Sequence, residues 1–294
     1  MFVAHARVAV AATAVSVYLA VVPASSGSPP PASSGHLSLD SVVGACNARD
    51  AGAPGWRRVR IDLLDGETIT RTFTVVNVWQ RGPRSVRTLY YLEQPTALAG
   101  TAYLQIEDLD TDLSVFLYLP TSNGHVLSVA SEDLGEGLLG SDFAYTDLQT
   151  LLPVRRYRYR AVNRMRLLDR PAVAVEASPD TGLEVGWSRA TFFIDEESAV
   201  LIGADYYFPA LVSSPSREPG KRMRVERMER VDGVWTATRM AMTTARRQTR
   251  ITLLEARFHL GAIDASLFEL ESLPHLQRSL EALAKRATSD PHGS

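Results

Sequence analysis

The sequence has very few of the residues that build metal sites and disulfides. Cys46 is its one cysteine, which excludes an internal disulfide and a cysteine-based metal cluster. The histidines are scattered without the close spacing of a zinc-ligand set, so we expect no metal. The G-x-S-x-G elbow, the phosphate loop and the dinucleotide fingerprint are missing too. We therefore expect no cofactor, and the sequence favours a protein that is not an enzyme.

The chain also lacks an excess of charge of either sign. The chain has 31 basic and 33 acidic residues, a formal net charge of −2. A balanced chain has no overall field that attracts a polyanion, so we expect no nucleic acid as a partner. Hydrophobic residues make up 45% of the chain, which is ordinary globular usage and predicts a real core.

One long apolar run is present, and it lies at the start of the chain. Arg7 precedes the uncharged run Val8 to Val22, and small residues follow around Ala24. This layout is typical of a secretory signal peptide, which we place at residues 1–24. The alternative is an uncleaved membrane anchor. However, a helix of about 15 residues rises about 22 Å, short of the roughly 30 Å hydrocarbon core.

The residues after this run indicate a periplasmic protein that is not lipidated. Residues 25–35 are a Pro/Ser/Gly linker that we expect to be disordered. Val43 to Cys46 looks like a lipidation box but lies about 20 residues beyond the apolar run, whereas a lipobox cysteine follows that run directly. We interpret Cys46 as a small buried residue on a helix.

The rest of the chain reads as antiparallel β-structure. Asp65-Gly66, Asn123-Gly124 and Asp232-Gly233 each separate two strand-like segments and predict type I′ hairpins. In the segment 156–168, arginines at even positions alternate with mostly apolar odd positions, so we expect those arginines to be exposed or to touch lipid head groups. About a dozen strands follow one another without helical crossovers, which argues against a parallel sheet.

This pattern predicts a mainly β fold of the α+β type: a curled antiparallel sheet or incomplete β-barrel, with short helices plugging a hydrophobic hollow. Helical spacing is confined to His36–Arg49, Thr146–Leu152 and Leu276–Ala287. We place the β domain at residues 36–273 and a C-terminal helix and tail at residues 274–294.

The Ser141-Asp142 pair admits two readings. With a distant histidine it would be part of a hydrolytic site, so an esterase or phospholipase is one alternative. Such a pair before an aromatic residue is more often a local cap or turn, here for the segment Thr146–Leu152.

The segment around this pair resembles a known family. Phe116-Leu117-Tyr118-Leu119-Pro120, followed after a gap by Gly140-Ser141-Asp142-Phe143-Ala144-Tyr145-Thr146-Asp147-Leu148, is similar to the "WLYLP" and "GSDFSYEDL" segments of the LolA-like outer-membrane lipoprotein-sorting proteins. The resemblance spans Leu37 to about Leu270. Its second half rests on the strand pattern alone.

The resemblance implies a periplasmic carrier or chaperone of lipid or lipoprotein acyl chains, or the soluble accessory of a lipid exporter. Its implied partners are an inner-membrane exporter and an outer-membrane acceptor, and we expect a monomer. The candidate ligand-binding residues are Phe116, Leu117, Tyr118, Leu119, Leu127, Phe143, Tyr145 and Leu148, with Gly140, Ser141 and Asp142 as a structural motif. The main alternative is a non-catalytic envelope protein whose hollow is filled by its own side chains and which binds other proteins.

Overall fold

The computed structural model describes residues 38–109, 113–152, 156–180, 186–209 and 218–289. The two α-helices of these residues are α1 (Leu39–Ala48) and α2 (Leu276–Ser289). The strands are β1 (Gly55–Asp65), β2 (Thr68–Arg81), β3 (Ser85–Gln94), β4 (Ala102–Asp108), β5 (Ser114–Tyr118), β6 (Val126–Ser128), β7 (Tyr157–Leu167), β8 (Arg170–Pro179), β9 (Arg189–Asp195), β10 (Leu201–Tyr207), β11 (Lys221–Val231), β12 (Val234–Thr244) and β13 (Gln248–Arg257). The predicted signal peptide and linker lie outside the described residues.

The strands form one antiparallel sheet that is not closed. Its 13 strands run in the order β6-β5-β4-β3-β2-β1-β13-β12-β11-β10-β9-β8-β7. The sheet therefore consists of two meanders, β1–β6 and β7–β13, joined at its centre where β1 pairs with β13. The prediction of a mainly β, curled antiparallel sheet is confirmed, and β6 and β7 are the two edge strands.

The three predicted hairpins are present, but only one has the two-residue type I′ turn. Asp232 and Gly233 both have positive φ, 48° and 79°, between the paired residues Val231 and Val234. In the first hairpin, β1 extends to Asp65 and only Gly66 has positive φ, 58°, which matches a type II′ turn. The third turn, with Asn123 and Gly124, is part of a longer loop between β5 and β6.

Strands β1 to β4 are covered on both faces, apart from residues 68–72 at the exposed start of β2. On one face, here called the inner face, Val59, Ile61 and Val75 pack against the chain between β6 and β7. On the other, the outer face, the apolar side chains pack against α2 and the turns just before it. The outer-face cluster includes the fully buried residues Trp56, Val78, Leu89, Leu104, Leu273 and Leu276. Burial on two faces explains why apolar residues occupy adjacent positions in these strands, as at Leu63-Leu64 in β1 and Val75-Val76 in β2.

The arginine-rich strand β7 alternates as predicted over its first half. Tyr157 is buried, and Arg158 and Arg160 are exposed. A bulge after Ala161 shifts the register, so Met165 is exposed although it occupies an odd, apolar position of the sequence pattern.

Helix α1 covers the second meander. Ser38 caps it by accepting the N–H of Ser41, at 3.1 Å. Val42, Val43 and Cys46 pack onto the inner face of β7 to β10, so the prediction that Cys46 is a buried helical residue is confirmed. Burial raises the pKa of the Cys46 thiol. Neither described helix is long and apolar enough to cross a membrane.

Candidate functional site

The chain between β6 and β7 has to travel from one edge of the sheet to the other. Within it, residues 131–152, here called the cover segment, lie over the inner face as short 3₁₀ turns, Ser131–Gly135, Leu138–Gly140 and Tyr145–Leu148. The predicted helix at Thr146–Leu152 is thus one 3₁₀ turn that starts and ends earlier. The sheet order explains its position, since the direct route between the two edges runs across the inner face.

A cavity of about 210 Å³ lies between the cover segment and the centre of the inner face. We call it the hollow. Its floor is formed by β1–β3 and β10–β13, and its roof by α1 and the cover segment. Apolar side chains that line it include Val59, Ile61, Val75, Met240, Ile251 and Leu253 from the floor, and Leu138, Phe143 and Leu148 from the roof. The structure therefore contains the hydrophobic hollow that the sequence predicted.

The Ser-Asp pair fastens the cover segment to β13. The Thr249 hydroxyl donates to the Asp142 carboxylate at 2.8 Å, and the Asp142 N–H donates back to the same hydroxyl oxygen at 2.9 Å. Ser141 accepts the N–H of Phe143 at 3.2 Å, as expected of a turn cap. Gly140 has φ +72°, which permits the tight turn before the pair. The observed hydrogen bonds of Ser141 and Asp142 thus serve the fold of the cover segment.

Further polar contacts fasten the rest of the cover segment. Asp147 accepts the N–H of Ala144 at 2.7 Å and pairs with Lys221 on β11. Asn47 on α1 donates to the Leu152 carbonyl at 2.9 Å and accepts the Leu152 N–H at 2.7 Å. The cover segment is held by a few polar contacts to several elements, and its apolar contacts face the hollow.

Glu107 on β4 makes a contact of the same kind. Its carboxylate accepts the N–H groups of Thr150 and Leu151 at 2.7 and 2.9 Å. The side chain is 1% exposed, and burial raises the pKa of Glu107 to about 7 against the opposing effect of these hydrogen bonds.

The structure brings some of the candidate ligand-binding residues to the hollow. Ser141, Phe143 and Leu148 line it. Leu117 and Tyr145 belong to the adjoining cluster on the inner face, where Leu117 pairs with Tyr103 across β4 and β5.

The other candidates lie elsewhere. Phe116 and Tyr118 contact the outer-face cluster beneath α2, because alternate residues of β5 point to opposite faces. Leu119 follows the end of β5 and is half-buried, and Leu127 is 50% exposed. Tyr118 also lines a more open recess of about 670 Å³ between the outer face and α2.

One end of the hollow is polar, a feature that sequence reasoning missed. Arg57 on β1, Asn77 and Arg81 on β2, and Arg49 just after α1 all line it. Arg57 pairs with Asn77 across β1 and β2, and its Nε donates to Asn77 Oδ1 at 3.0 Å. The available signal is that Val75, Asn77, Trp79 and Arg81 share one face of β2, so two polar residues interrupt an apolar face.

Comparison with known proteins places the chain in a family. A family model described as an uncharacterized protein matches residues 84–275, more than half of the chain. The chain belongs to that family. No curated protein matches it.

Solved structures show the fold. A domain from Vibrio parahaemolyticus, assigned to the outer membrane lipoprotein-sorting proteins, has 20% identity and a TM-score of 0.69, over 80% of this chain and 97% of that one. A DUF1329 family protein from Desulfovibrio piger has 21% identity and a TM-score of 0.68, over 79% and 96%. A LolA superfamily protein from Nitrosomonas europaea has 12% identity and a TM-score of 0.57, over 78% and 96%. The predicted resemblance to LolA-like proteins is confirmed in the fold.

Proposed function

We propose that this protein is a periplasmic carrier that holds acyl chains of a lipid or a lipoprotein, non-covalently, in the hollow. The observation that supports the proposal is the apolar cavity of about 210 Å³ between the inner face and a cover fastened by a few polar contacts. The LolA-like fold agrees with it, since one structural neighbour is assigned to lipoprotein sorting.

The size of the hollow indicates how a chain enters. Its volume of about 210 Å³ is below the roughly 300–1,000 Å³ of ordinary small-molecule sites. The closed form thus accommodates part of one acyl chain. A whole chain requires the cover segment to move away from the inner face while the sheet remains the floor.

Apolar burial can offset the contacts that such a displacement breaks. Burying about ten methylenes is worth about 8 kcal/mol, at about 0.8 kcal/mol each. The carboxylates of Asp142, Asp147 and Glu107 make the main polar contacts of the cover segment, and a hydrogen bond to a charged group contributes about 1.5–3 kcal/mol. Burial of the acyl chain is therefore of the same size as the loss of these contacts, and the chain that enters also contacts the apolar side of the displaced cover.

A carrier of this kind requires a donor and an acceptor. We infer an inner-membrane exporter as the donor and an outer-membrane protein as the acceptor, because an acyl chain crosses an aqueous compartment slowly unless a cavity replaces the bilayer. We propose that the carrier acts as a monomer, without catalysis and without nucleic acid.

The competing function is an interaction protein whose core is filled. The small volume of the hollow is the observation in its favour. Native mass spectrometry of protein purified without detergent separates the two, because the carrier retains lipid of defined mass and the filled protein has the mass of its chain alone.

A matched pair of tryptophan variants on β13 tests whether the acyl chain binds in the hollow. Ile251 lines the hollow between Ile61 and Met240, whereas Leu254 is 51% exposed. We expect Ile251→Trp to abolish binding of a fluorescent fatty acid with little change in Tm, and Leu254→Trp to bind as the parent does. A filled core predicts instead that Ile251→Trp destabilises the fold by about 1–3 kcal/mol through overpacking, with no fatty-acid binding by the parent.

A further inference from the structure

The inner-face residues of the central strands change character along the strand direction. On β1, Ile61 and Val59 give way to Arg57, and on β2, Val75 gives way to Asn77 and, beyond Trp79, to Arg81. These residues all line the hollow, so the hollow has an apolar middle and a basic end. That division matches an amphiphile with an apolar chain and one polar head group.

Three arginines line the basic end. Arg57, Arg81 and Arg49 are half-buried, and Arg57 Cζ lies 5.4 Å from the centre of the Trp79 ring. Burial lowers the pKa of Arg57, and the charge of Arg49 acts in the same direction. Burial also lowers the pKa of Arg49, and the charge of Arg81 adds to that effect. Arg49 therefore repels both Arg57 and Arg81, and these charges are partly shielded from solvent.

No carboxylate of the described residues forms a salt bridge with this cluster, although the charges of Asp50 and Glu107 act on Arg49 from a longer distance. Among the described residues, none within salt-bridge distance faces Arg49, Arg57 or Arg81. Asp50 is near Arg49 along the chain, but it accepts the N–H of Gly52 and pairs with His259. Glu107 uses its oxygens for the cover segment.

Two donors at this end are buried and have no hydrogen-bond partner among the residues that the structure describes. They are Nη1 of Arg81 and Nδ2 of Asn77, and Asn77 is only 2% exposed. Buried donors are almost always satisfied in folded proteins, so two unpaired donors beside arginines that form no salt bridge indicate a binding site for acceptor atoms. The acceptors that best match guanidinium groups are the paired oxygens of a carboxylate or a phosphate.

We propose that Arg49, Arg57 and Arg81, with Asn77, bind the anionic oxygens of an amphiphile's head group while its acyl chain lies in the apolar part of the hollow. The proposal rests on the proposed carrier function and narrows its cargo to amphiphiles with a carboxylate or phosphate head. Arg57 and Asn77 form the floor of this head-group site, and Arg49 approaches from the side of α1.

The test compares palmitate with methyl palmitate, which share a chain and differ in the charge of the head. We expect the parent protein to bind palmitate at least tenfold more tightly than methyl palmitate at pH 8. The double variant Arg49→Gln/Arg81→Gln should lose that preference and bind both ligands like the methyl ester. Arg81→Lys, which keeps the charge but not the paired donors, should show an intermediate loss.

The matched control is Arg71→Gln/Arg87→Gln, which removes the same charge from exposed arginines of β2 and β3. This control variant should retain the preference of the parent for palmitate over methyl palmitate. The melting temperature of Arg49→Gln/Arg81→Gln should be unchanged or higher, since the substitution relieves repulsion. Equal affinity of the parent for palmitate and its methyl ester, or an equal loss for both in the cluster variant, overturns the proposal.

A second arm uses lysophosphatidate and inorganic phosphate. Tighter binding of lysophosphatidate than palmitate identifies a phosphate head. Stabilisation of the parent by millimolar inorganic phosphate, absent in the cluster variant, supports the anion site even when neither chain ligand binds, a result that would reject the carrier function alone. If neither the chain ligands nor phosphate distinguishes the parent from the cluster variant, the head-group site is wrong.

Discussion

Glu107 accepts the N–H of Thr150 at 2.7 Å, and so joins the fourth strand to the end of the cover segment. The carboxylate is buried, and burial raises its pKa to about 7 from the ordinary value of 4.5. A group that titrates near neutrality in the native state makes the stability of the fold depend on pH.

The first prediction is that the protein is more stable at pH 5 than at pH 8. An acid with a raised native pKa holds its proton in the folded state between pH 4.5 and about 7, while the unfolded chain releases it. Acidification through that window therefore favours the folded state, by about 1–3 kcal/mol. Urea unfolding at the two pH values measures the difference. In Glu107→Gln, an uncharged isostere, this contribution should be missing, and an undiminished pH dependence would show that other groups cause it.

The second prediction concerns the anchor between Asp142 and Thr249. Thr249→Val removes the hydroxyl that serves both the carboxylate and the N–H of Asp142. Because a buried carboxylate and a backbone donor lose a partner, we expect a loss of about 2–3 kcal/mol in the free energy of unfolding. Hydrogen exchange should also speed up in residues 140–148. Thr249→Ser keeps the hydroxyl and should stay within about 1 kcal/mol of the parent, and equal effects of the two substitutions would refute the anchor.

The third prediction concerns the contact between α2 and the outer face. Leu276 is 2% exposed and lies in the cluster with Trp56 and Leu89. Leu276→Ala should cost about 2–5 kcal/mol through lost burial and a cavity. Leu254→Ala, at a site 51% exposed, should cost less than about 1 kcal/mol. Equilibrium denaturation of the two variants makes the comparison, and a mild effect of Leu276→Ala would mean that α2 is dispensable for the sheet.

The fourth prediction separates two kinds of arginine. Arg158 and Arg160 have side chains 74% exposed, and Arg160 pairs with Glu176. Replacing both with serine should change stability by less than about 1 kcal/mol, as is usual for exposed charges. Arg170 makes two hydrogen bonds to the fully buried Asp195, at 2.7 and 3.0 Å. Arg170→Ser should cost about 3 kcal/mol, because a buried charge loses its partner. Similar melting curves for the two variants would contradict this assignment.

Hairpins and strand faces could be predicted from the sequence because their signals are local. Asp232-Gly233 specifies a two-residue turn. The arginines at positions 158 and 160 indicate the solvent-exposed face of β7. The identity of what covers each face is not local. Phe116 and Leu117 are both plausible wall residues, yet Phe116 faces α2 and Leu117 lies on the inner face, because α2 comes from the far end of the chain.

The basic end of the hollow could not be predicted from the sequence for the same reason. Arg57 and Asn77 become neighbours only through the register of β1 and β2. Arg49 joins them through the packing of α1, and nothing in the residues around it signals that position. The motif 140–148, by contrast, was recognisable, because its turn glycine and its cap lie within one short segment.

The position of the cover segment also bears on how far the sheet can open. Residues 131–152 contact both meanders, β4 through Glu107, and β11 and β13 through Asp147 and Asp142. They therefore bridge the two meanders across the inner face and limit how far the meanders can separate about the β1–β13 pairing. In the proposed carrier, an acyl chain that displaces this bridge removes that limit, so a longer chain should be accompanied by a wider separation of the two meanders.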